Sequence, residues 1–264
     1  MLNIAHRGAS RFWPENTIEA FKAAFETFGA EMIEFDVHLS KDGVPVVIHD
    51  ARLERTTNGR GYVSHFLFEE LSKLDAAWGF APGQNGIFPM RGTGISIPSL
   101  ESIFQNFPNR KLAIEIKERS SDLTHKVMAL VEKYGAGENC VVGSKYHAVS
   151  GTLQKSYPTV RRFYSQVEIV TQFFAASSPA RHRSGPDPCA VSSMPLERCG
   201  LPFASRDFID HLHAKGVTVF FWTVNDPAQM EMLIARGADG IITDDPGLLN
   251  SLNRRRRGTD PTNV

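Results

Sequence analysis

The segment EMIEFDVHLSKDGVPVVIHD, residues 31–50, decides how the rest of the chain is interpreted. It contains two apolar, β-branched runs separated by a short polar turn. Asp42 followed by Gly43 is among the strongest local hairpin signals, and the turn is too short for the crossover that a parallel pair of strands requires. The two runs therefore predict an antiparallel hairpin. A turn centred on the Asp-Gly pair places Asp36 opposite His49.

Elsewhere along the 264 residues, short β-branched runs alternate with stretches in which apolar residues recur every three or four positions. This alternation is typical of a parallel sheet covered by helices. Because one hairpin strand is antiparallel, eight strands remain, and the chain length is close to the roughly 250 residues of a (β/α)8 TIM barrel. The predicted strands are residues 2–6, 31–37, 44–49, 111–117, 139–144, 159–164, 189–193, 217–224 and 239–243, and the clearest predicted helices are 15–28, 122–134, 147–156, 205–214 and 227–236.

We expect residues 1–252 to form a single, distorted α/β barrel domain. Residues 50–97 are rich in Gly and Pro and too long for a structureless loop, so they predict a small insertion with a weak helix at 68–76, folded over one end of the barrel. The proline-rich residues 179–202 predict a long connection that flanks a short strand. The polar, basic residues 253–264 predict a disordered tail.

Composition excludes several classes of protein. The 29 basic and 29 acidic residues give a formal net charge of zero, which argues against a nucleic acid partner. The three cysteines form no CxxC pair and no zinc-site spacing, as is typical of a reduced, intracellular setting. Because the sequence shows neither a signal-peptide pattern nor an apolar run of transmembrane length, we expect a cytoplasmic protein. The nucleotide-binding patterns GxxxxGK[ST] and GxGxxG and the serine-hydrolase pattern GxSxG do not occur.

Acidic residues lie at the carboxyl ends of the predicted strands, where parallel barrels bind their ligands. Glu34 and Asp36 end the second strand, and Glu115 ends the fourth. Like charges this close repel unless a cation lies between them or their pKa values rise. Oxygen ligands favour Mg²⁺ or Ca²⁺, so the three residues predict a divalent metal site. The alternative for each acid alone is a salt bridge to Arg7 or Lys117.

Two histidines end strands on the same side as the acids. His6 follows the first strand and His49 the third, and a pair of imidazoles can serve as general base and general acid. Arg7 and Lys117 next to a metal suit a phosphoryl group, whose oxygens must be neutralised as the transition state forms. The alternative is that both histidines are core residues bonded to backbone. His38, within the hairpin, is expected to be exposed.

The sequence resembles the glycerophosphodiester phosphodiesterase family in ordered blocks along nearly the whole chain. Residues 159–202 match this pattern little. The matching blocks are HRG at 6–8, PENT at 14–17, IEFDV at 33–37, KDG at 41–43, HD at 49–50, RTT at 55–57, IPSL at 97–100, IEIK at 114–117, WTVND at 222–226 and GIITD at 240–244.

This resemblance implies a distorted barrel that uses a divalent metal, Mg²⁺ or Ca²⁺, to hydrolyse small glycerophosphodiesters to an alcohol and sn-glycerol 3-phosphate. Water and the substrate's own glycerol hydroxyl both remain open as the nucleophile. The residue roles that the resemblance implies are metal ligation by Glu34, Asp36 and Glu115, acid–base catalysis by His6 and His49, phosphate binding by Arg7 and Lys117, and a substrate contact on the glycerol side by Trp222.

Two other functions are compatible with the sequence. A lysophospholipase D-like phosphodiesterase acting on lysolipids requires an apolar mouth, which Trp78, Phe80 and Phe88 of the insertion would supply. Those aromatic residues would alternatively form a private core of the insertion. A non-catalytic barrel that binds phosphodiesters is the alternative from a different class. Such a protein would hydrolyse no phosphodiester, so removing metal would change no activity.

Overall fold

A computed structural model describes residues 1–83, 86–177, 185–187 and 189–258. Within them the chain forms nine strands and nine α-helices, and none of these helices is long and apolar enough to cross a lipid bilayer. The strands are β1 (Leu2–His6), β2 (Met32–Leu39), β3 (Pro45–Val47), β4 (Lys111–Ile116), β5 (Cys140–Gly143), β6 (Arg161–Phe163), β7 (Ala190–Met194), β8 (Thr218–Phe221) and β9 (Gly240–Thr243). The helices are α1 (Ile18–Glu26), α2 (Phe68–Leu71), α3 (Leu100–Asn106), α4 (Ser121–Lys133), α5 (His147–Ser156), α6 (Gln166–Ala176), α7 (Arg206–His213), α8 (Pro227–Arg236) and α9 (Pro246–Arg256).

Eight parallel strands close into a barrel. β1 pairs with both β2 and β9, and the strands between them follow in chain order from β4 to β9. Among the strands of the described residues, β3 pairs with β2 alone, in the antiparallel sense, and its Val46 also forms an isolated bridge with Ser99. The predicted TIM barrel with a hairpin at its second and third strands is therefore confirmed, and all nine predicted strands occur with small differences at their ends.

The register of the hairpin differs from the prediction by one residue. The Ile48 N–H donates to the Asp36 carbonyl at 3.0 Å, so Ile48, and not His49, lies opposite Asp36. The predicted pairing was wrong because the Ser40 N–H donates to the Val44 carbonyl, so that three residues, 41–43, form the turn. A turn centred between Asp42 and Gly43 would contain an even number of residues, and the difference shifts the pairing by one. As a result His49 lies beyond the paired strand, in the bend that leads out of the hairpin.

The first crossover helix, α1, forms where the spacing of apolar residues predicted a helix. Thr17 caps α1 by accepting a hydrogen bond from the Ala20 N–H at 3.2 Å, which satisfies one of the free amides of the first turn. Phe21 and Ala24 are fully buried, and the Phe21 ring lies 5.4 Å from that of Phe35 on β2. The amphipathic face of the helix thus covers the outside of the barrel, as the three- and four-residue spacing predicts.

Three helices were not predicted, namely α3, α6 and α9. α6 carries apolar residues on several faces, including exposed ones, so its sequence lacks the one-sided pattern that identifies a surface helix. α9 begins at the Asp245 cap, whose side chain accepts from the Leu248 N–H at 3.0 Å, and it buries Leu249 and Leu252. Burial of those two leucines stabilises a helix in a stretch that otherwise appears polar.

Two predicted irregular regions are described only in part. Of the predicted tail 253–264, the part up to Arg256 belongs to α9, so the prediction placed its start too early. Residues 259–264 lie outside the described residues. The predicted connection 179–202 contains β7, and residues 178–184 and 188 in this region also lie outside them.

The barrel interior is filled at one level by one apolar side chain from each parallel strand. Side chains alternate along a strand, so the residue two positions further on also faces the interior, one level closer to the carboxyl ends. On β2 the residue after Met32 in this series is Glu34, and on β4 it is Glu115. The apolar layer therefore forms the floor of a polar site. Its members are Ile4, Met32, Ala113, Val141, Phe163, Val191, Phe220 and Ile242.

The described part of residues 50–97 contains an apolar cluster next to β3. Leu53, Val63 and Leu71 are buried there together with Ile48 of the hairpin. Because this cluster shares residues with the hairpin, the insertion is attached firmly to the side of the barrel from which His49 projects.

Candidate active site

A cavity of about 440 Å³ opens at the carboxyl ends of the strands. All eight residues that the sequence singled out line it. These are His6, Arg7, Glu34, Asp36, His49, Glu115, Lys117 and Trp222.

The backbone at the end of β1 turns sharply to direct these side chains. Arg7 has a φ of +54°, a conformation that non-glycine residues rarely adopt. Gly8 follows with a φ of +87°, and a Cβ at this position would lie 2.7 Å from the Cβ of Ala20. Glycine is therefore required here, because α1 packs directly against the turn.

Three carboxylates form a cluster on the cavity floor. One oxygen each from Glu34, Asp36 and Glu115 lies within 4.8 Å of the others. Glu34 Oε2 is buried and has no hydrogen-bond partner in the described part of the chain. Burial and the negative charge of Asp36 raise the pKa of Glu34 from its ordinary 4.5 to about 7. An unpartnered buried oxygen next to two further carboxylates fits a hard divalent cation.

Two cationic side chains neutralise the other acids of the cluster. Lys117 Nζ lies 2.8 Å from Asp36 Oδ1 and 2.6 Å from Glu115 Oε2, and Arg7 Nε lies 3.1 Å from Asp36 Oδ2. Burial acts to raise the pKa of Asp36, but the charges of Lys117 and Arg7 outweigh it and hold that pKa well below its usual range. Asp36 is thus ionised at neutral pH. The salt bridges considered as the alternative exist for Asp36 and Glu115, whereas neither Lys117 nor Arg7 forms one with Glu34 in the described residues.

Each of the two predicted histidines is bonded to a carboxylate through the same ring atom. His6 Nδ1 lies 2.6 Å from Asp244 Oδ1, and His49 Nδ1 lies 2.6 Å from Asp50 Oδ1. An Nδ1–H donated to a carboxylate orients the ring and leaves Nε2 available for proton exchange. His6 Nε2 lies 3.9 Å from Glu34 Oε2, at the carboxylate cluster. The alternative of core histidines bonded to backbone is not what the structure shows.

The protein environment favours the protonated form of His6. Burial acts to lower its pKa, but the hydrogen bond with Asp244 and the charge of Glu34 outweigh burial, so the pKa is raised above 6.5. Asp244 accepts its other hydrogen bonds from neutral donors, Ser10 Oγ at 2.9 Å and Asn225 Nδ2 at 2.6 Å. Its negative charge therefore acts on His6 without a competing cation in these contacts, and the pKa of Asp244 falls to about 2.

The environment of His49 has the opposite effect. Burial and the positive charges of Arg7 and Lys117 lower the pKa of His49 below 6.5. Its partner Asp50 also accepts a hydrogen bond from Arg55 Nε, so part of the carboxylate charge is compensated. Although the two Asp–His contacts are equally short, the pKa of His6 is thus raised and that of His49 is lowered, so His6 holds its proton more tightly than His49 does.

His38 is buried, although the sequence predicted it to be exposed. Its Nδ1 lies 3.1 Å from Glu118 Oε1, and its Nε2 lies 3.1 Å from the carbonyl oxygen of His49. The prediction failed because the hairpin folds against the end of β4, which brings Glu118 over it. His38 thereby contacts the backbone of a cavity residue.

One wall of the cavity is apolar. It is formed by residues between β6 and the start of α7, a region that resembles the family pattern least. Trp222 lies beside this wall, and 39% of its surface is exposed. Val170 on α6 lies where the wall reaches solvent. Most of the lining residues in this region are apolar, namely Phe163, Tyr164, Ile169, Val170, Met194, Pro195 and Phe203, and its polar lining residues are Gln166, Ser193 and Arg198.

The aromatic residues of the insertion do not contribute to that wall. Trp78 and Phe88 lie on the guanidinium of Arg91, at 4.3 and 3.4 Å from Cζ to the ring centroids. Neither they nor Phe80 are among the described residues that line the cavity. The predicted position of an apolar mouth was therefore wrong. Sequence alone could not locate it, because the positions of loops on a barrel depend on how the loops fold.

Sequence reasoning assigned no role to three residues that the structure connects to the site. Asp244 lies two positions after Ile242 of the interior layer, so the alternation that identified Glu34 also points to Asp244. Asp50 directly follows His49. Arg55 carries no signal in the periodicity of the sequence, because it lies in the irregular insertion.

The chain was compared with known proteins. The model of the glycerophosphoryl diester phosphodiesterase family matches residues 6–248. A glycerophosphodiester phosphodiesterase of Caldanaerobacter subterraneus subsp. tengcongensis is 34% identical over 96% of this chain and 98% of that protein. A lysophospholipase D of Mus musculus is 29% identical over 97% of this chain and 83% of that protein. The glycerophosphoryl diester phosphodiesterase domain of a Mycobacterium tuberculosis protein has the same fold, with a TM-score of 0.83, 22% identity and coverage of 96% and 98% of the two chains.

Proposed function

The chain belongs to the glycerophosphoryl diester phosphodiesterase family and is an enzyme that hydrolyses glycerophosphodiesters; we propose that it does so by metal-assisted general acid–base catalysis with His6 and His49. The proposed substrates are small glycerophosphodiesters such as glycerophosphocholine, and the proposed products are an alcohol and sn-glycerol 3-phosphate. The observation that carries the mechanism is the pair of carboxylate-bonded histidines at one cavity, whose surroundings shift the two histidine pKa values in opposite directions.

The proposed metal ligands are Glu34, Asp36 and Glu115. The unpartnered Glu34 oxygen and the 4.8 Å spacing support Mg²⁺ or Ca²⁺ at this position. When bound, such an ion would supply Lewis-acid stabilisation of the phosphoryl oxygens. Arg7 and Lys117 contribute further positive charge at the same place, which would orient the phosphate and stabilise the charge that develops on its oxygens.

The proton transfers follow from the two histidines. Neutral His49 would accept, at Nε2, the proton of the attacking hydroxyl group as its oxygen forms the new bond to phosphorus. Protonated His6 would donate its Nε2 proton to the alcohol oxygen as the other P–O bond breaks. The attacking group is either water or the glycerol hydroxyl of the substrate, and the second would give a cyclic phosphate first. Trapping a cyclic phosphate distinguishes the two.

A head-group panel tests the proposed substrates. Glycerophosphocholine, glycerophosphoethanolamine and glycerophosphoinositol would each be incubated with the enzyme, and released glycerol 3-phosphate would be measured with a coupled dehydrogenase. We expect release from at least one of them. Turnover of none of the three would contradict the proposed substrate class.

Replacing Asp244 with Asn is expected to shift the pH profile. Without the carboxylate the pKa of His6 falls, so the protonated acid is lost at a lower pH, and the alkaline limb of kcat against pH moves toward acid. We also expect kcat to fall about 10- to 100-fold, because the ring loses the partner that orients it. The measurement is kcat from pH 5 to 9 for both proteins. An unchanged alkaline limb would show that Asp244 does not control His6.

The apolar wall favours one further substrate class. A lysolipid is a glycerophosphodiester with an acyl chain on its glycerol, and Trp222, the residue proposed for the glycerol side, lies beside the wall. An acyl chain placed along the wall would leave the cavity at Val170, which lines the cavity and is also exposed to solvent. We therefore propose lysophospholipase D-like hydrolysis as the second candidate function.

Replacing Val170 with Asp is expected to separate the two activities. Loss of an apolar contact with an acyl chain costs about 1 to 2 kcal/mol, so kcat/KM for lysophosphatidylcholine should fall about 10-fold while that for glycerophosphocholine changes less than about twofold. Val167→Asp is the matched control, because Val167 lies on the same helix, is 57% exposed and does not line the cavity. Equal effects on both substrates, or equal effects of both variants, would refute an acyl-chain site at Val170.

A further inference from the structure

One guanidinium in the insertion connects two parts of the active site. Arg55 donates from Nη1 to Glu15 Oε2 at 2.7 Å and from Nη2 to Glu15 Oε1 at 2.8 Å, and its Nε donates to Asp50 Oδ2. Glu15 Oε1 also accepts from Arg7 Nη1 at 2.8 Å, and Asp50 Oδ1 bonds to His49 Nδ1 at 2.6 Å. All three nitrogens of the Arg55 guanidinium therefore donate to the carboxylates of Glu15 and Asp50. Glu15 in turn bonds Arg7, and Asp50 bonds His49.

We propose that Arg55 is a positioning residue, which fixes the phosphate-binding Arg7 relative to the acid–base residue His49 through Glu15 and Asp50. This inference rests on the proposed roles of Arg7 and His49. Arg7 follows β1 and His49 follows the hairpin, so the two residues lie on separate segments of the chain. The five side chains form a continuous series of charge-assisted hydrogen bonds, which are the stronger and geometrically more specific kind.

The backbone that carries Arg55 is held in place independently of these contacts. Leu53 is fully buried in the cluster of the insertion, and the Thr57 side chain donates to the Leu53 carbonyl at 2.8 Å. Gly79 packs on the same turn, and a Cβ there would lie 2.1 Å from the Arg55 carbonyl oxygen. The insertion thus presents Arg55 from a rigid base.

Arg55 acts through other residues and not on the substrate. It is not among the described residues that line the cavity, and neither are Glu15 and Asp50. Arginine suits this position better than lysine, because its planar group bonds both oxygens of Glu15 while its Nε reaches Asp50. A lysine side chain has a single nitrogen, so it could not bond both oxygens of Glu15 and reach Asp50 at the same time.

The test compares wild-type enzyme with Arg55→Ala and Arg55→Lys in steady-state hydrolysis of glycerophosphocholine and in calorimetric binding of glycerol 3-phosphate. For Arg55→Ala we expect kcat to fall about 10- to 100-fold, the scale of a small misplacement of catalytic groups. We also expect a higher KM and weaker binding of glycerol 3-phosphate, because Arg7 loses its restraint. Arg55→Lys should restore part of both. Loss of folded protein alone would lower the apparent kcat without changing KM or affinity.

Arg52→Ala is the matched control. Arg52 lies in the same insertion and is ion-paired with Glu54, and its guanidinium lies 4.8 Å from the Tyr62 ring centroid, but it is not among the described residues that line the cavity. We expect its kcat and KM to stay within about twofold of wild type. The double variant Arg55→Ala/Glu15→Gln should be little worse than the more impaired single variant, because both break one connection.

Two results would overturn the inference. One is an Arg55→Ala enzyme whose kcat, KM and affinity for glycerol 3-phosphate match those of wild type. The other is an Arg52→Ala enzyme impaired to the same degree, which would assign the effect to the insertion as a whole. If wild-type enzyme hydrolysed no glycerophosphodiester, the proposed function would fail, and the binding comparison would still decide whether Arg55 positions Arg7.

Discussion

Replacing either His6 or His49 with Ala is expected to lower kcat for glycerophosphodiester hydrolysis by about 10² to 10⁴, the usual contribution of a general acid or base. Each ring is held by a carboxylate at 2.6 Å and lines the same cavity. Neither alanine can exchange a proton, and the two losses should be similar in size because each step needs its own proton transfer. The measurement is steady-state release of glycerol 3-phosphate from the purified variants at saturating substrate.

The chain offers a matched control for the histidine variants. His213 also bonds an aspartate, with 2.9 Å between its Nε2 and Asp239 Oδ2, but it lies on α7 and does not line the cavity. His213→Ala should retain kcat within about twofold of wild type. Near-wild-type turnover by His6→Ala or His49→Ala would remove that residue from the proposed acid–base pair.

Removing divalent metal is expected to abolish turnover, and adding Mg²⁺ or Ca²⁺ should restore it. Burial and the negative charge of Asp36 raise the pKa of Glu34 to about 7, because they outweigh the nearby positive charges of His6 and Lys117. A bound dication would relieve this cost and would supply charge stabilisation to the phosphate. Turnover that persists after dialysis against EDTA would contradict the proposed metal dependence.

A thermal measurement tests the same site without an activity assay. At a metal concentration about 100 times its Kd, binding stabilises the folded state by about 2.7 kcal/mol, which should raise the Tm of a chain of this size by about 5 to 10 °C. Glu34→Gln should eliminate this shift and the metal-dependent activity. Glu69→Gln is the control, because Glu69 is exposed and paired with Lys73 away from the cavity.

The sign of the pKa shift gives a check that the Glu34 variant is folded. The folded state binds the Glu34 proton more tightly than the unfolded state does, so this group destabilises the metal-free protein as pH rises from about 4.5 to about 7. At pH 8 the metal-free Glu34→Gln protein should therefore unfold at a temperature no lower than wild type. An equal metal-induced shift in Tm for wild type and Glu34→Gln would refute a metal site at Glu34.

Much of the fold could be predicted because local sequence specifies it. All nine strands and helices α1, α4, α5, α7 and α8 occur where periodicity and turn residues placed them. Helix α6 could not be predicted in this way, because its apolar residues form both a cavity wall and an exposed face. The hairpin register was off by one residue, because the number of residues in the turn depends on a backbone hydrogen bond that the sequence does not display.

The candidate site, too, could be predicted from the sequence only in part. Glu34, Asp36 and Glu115 could be identified because charges at inward positions of apolar strands conflict with a plain core. The contact between Asp244 and His6 could not, because the two residues lie 238 positions apart along the chain and meet only when the barrel closes. The positions of Glu118 over His38 and of Arg55 near His49 likewise depend on how separate segments of the chain pack together.

The amino-acid sequence by itself determined the barrel, the hairpin and seven polar cavity residues, because the carboxyl ends of parallel strands meet at one end of a barrel; the family resemblance added Trp222. The tertiary structure alone decided the protonation preferences of His6 and His49. These depend on the charges that surround each ring, and charges act through space over distances that only the closed barrel sets. It also decided which wall of the cavity is apolar, because that wall is assembled from the strand ends and the loops between β6 and α7.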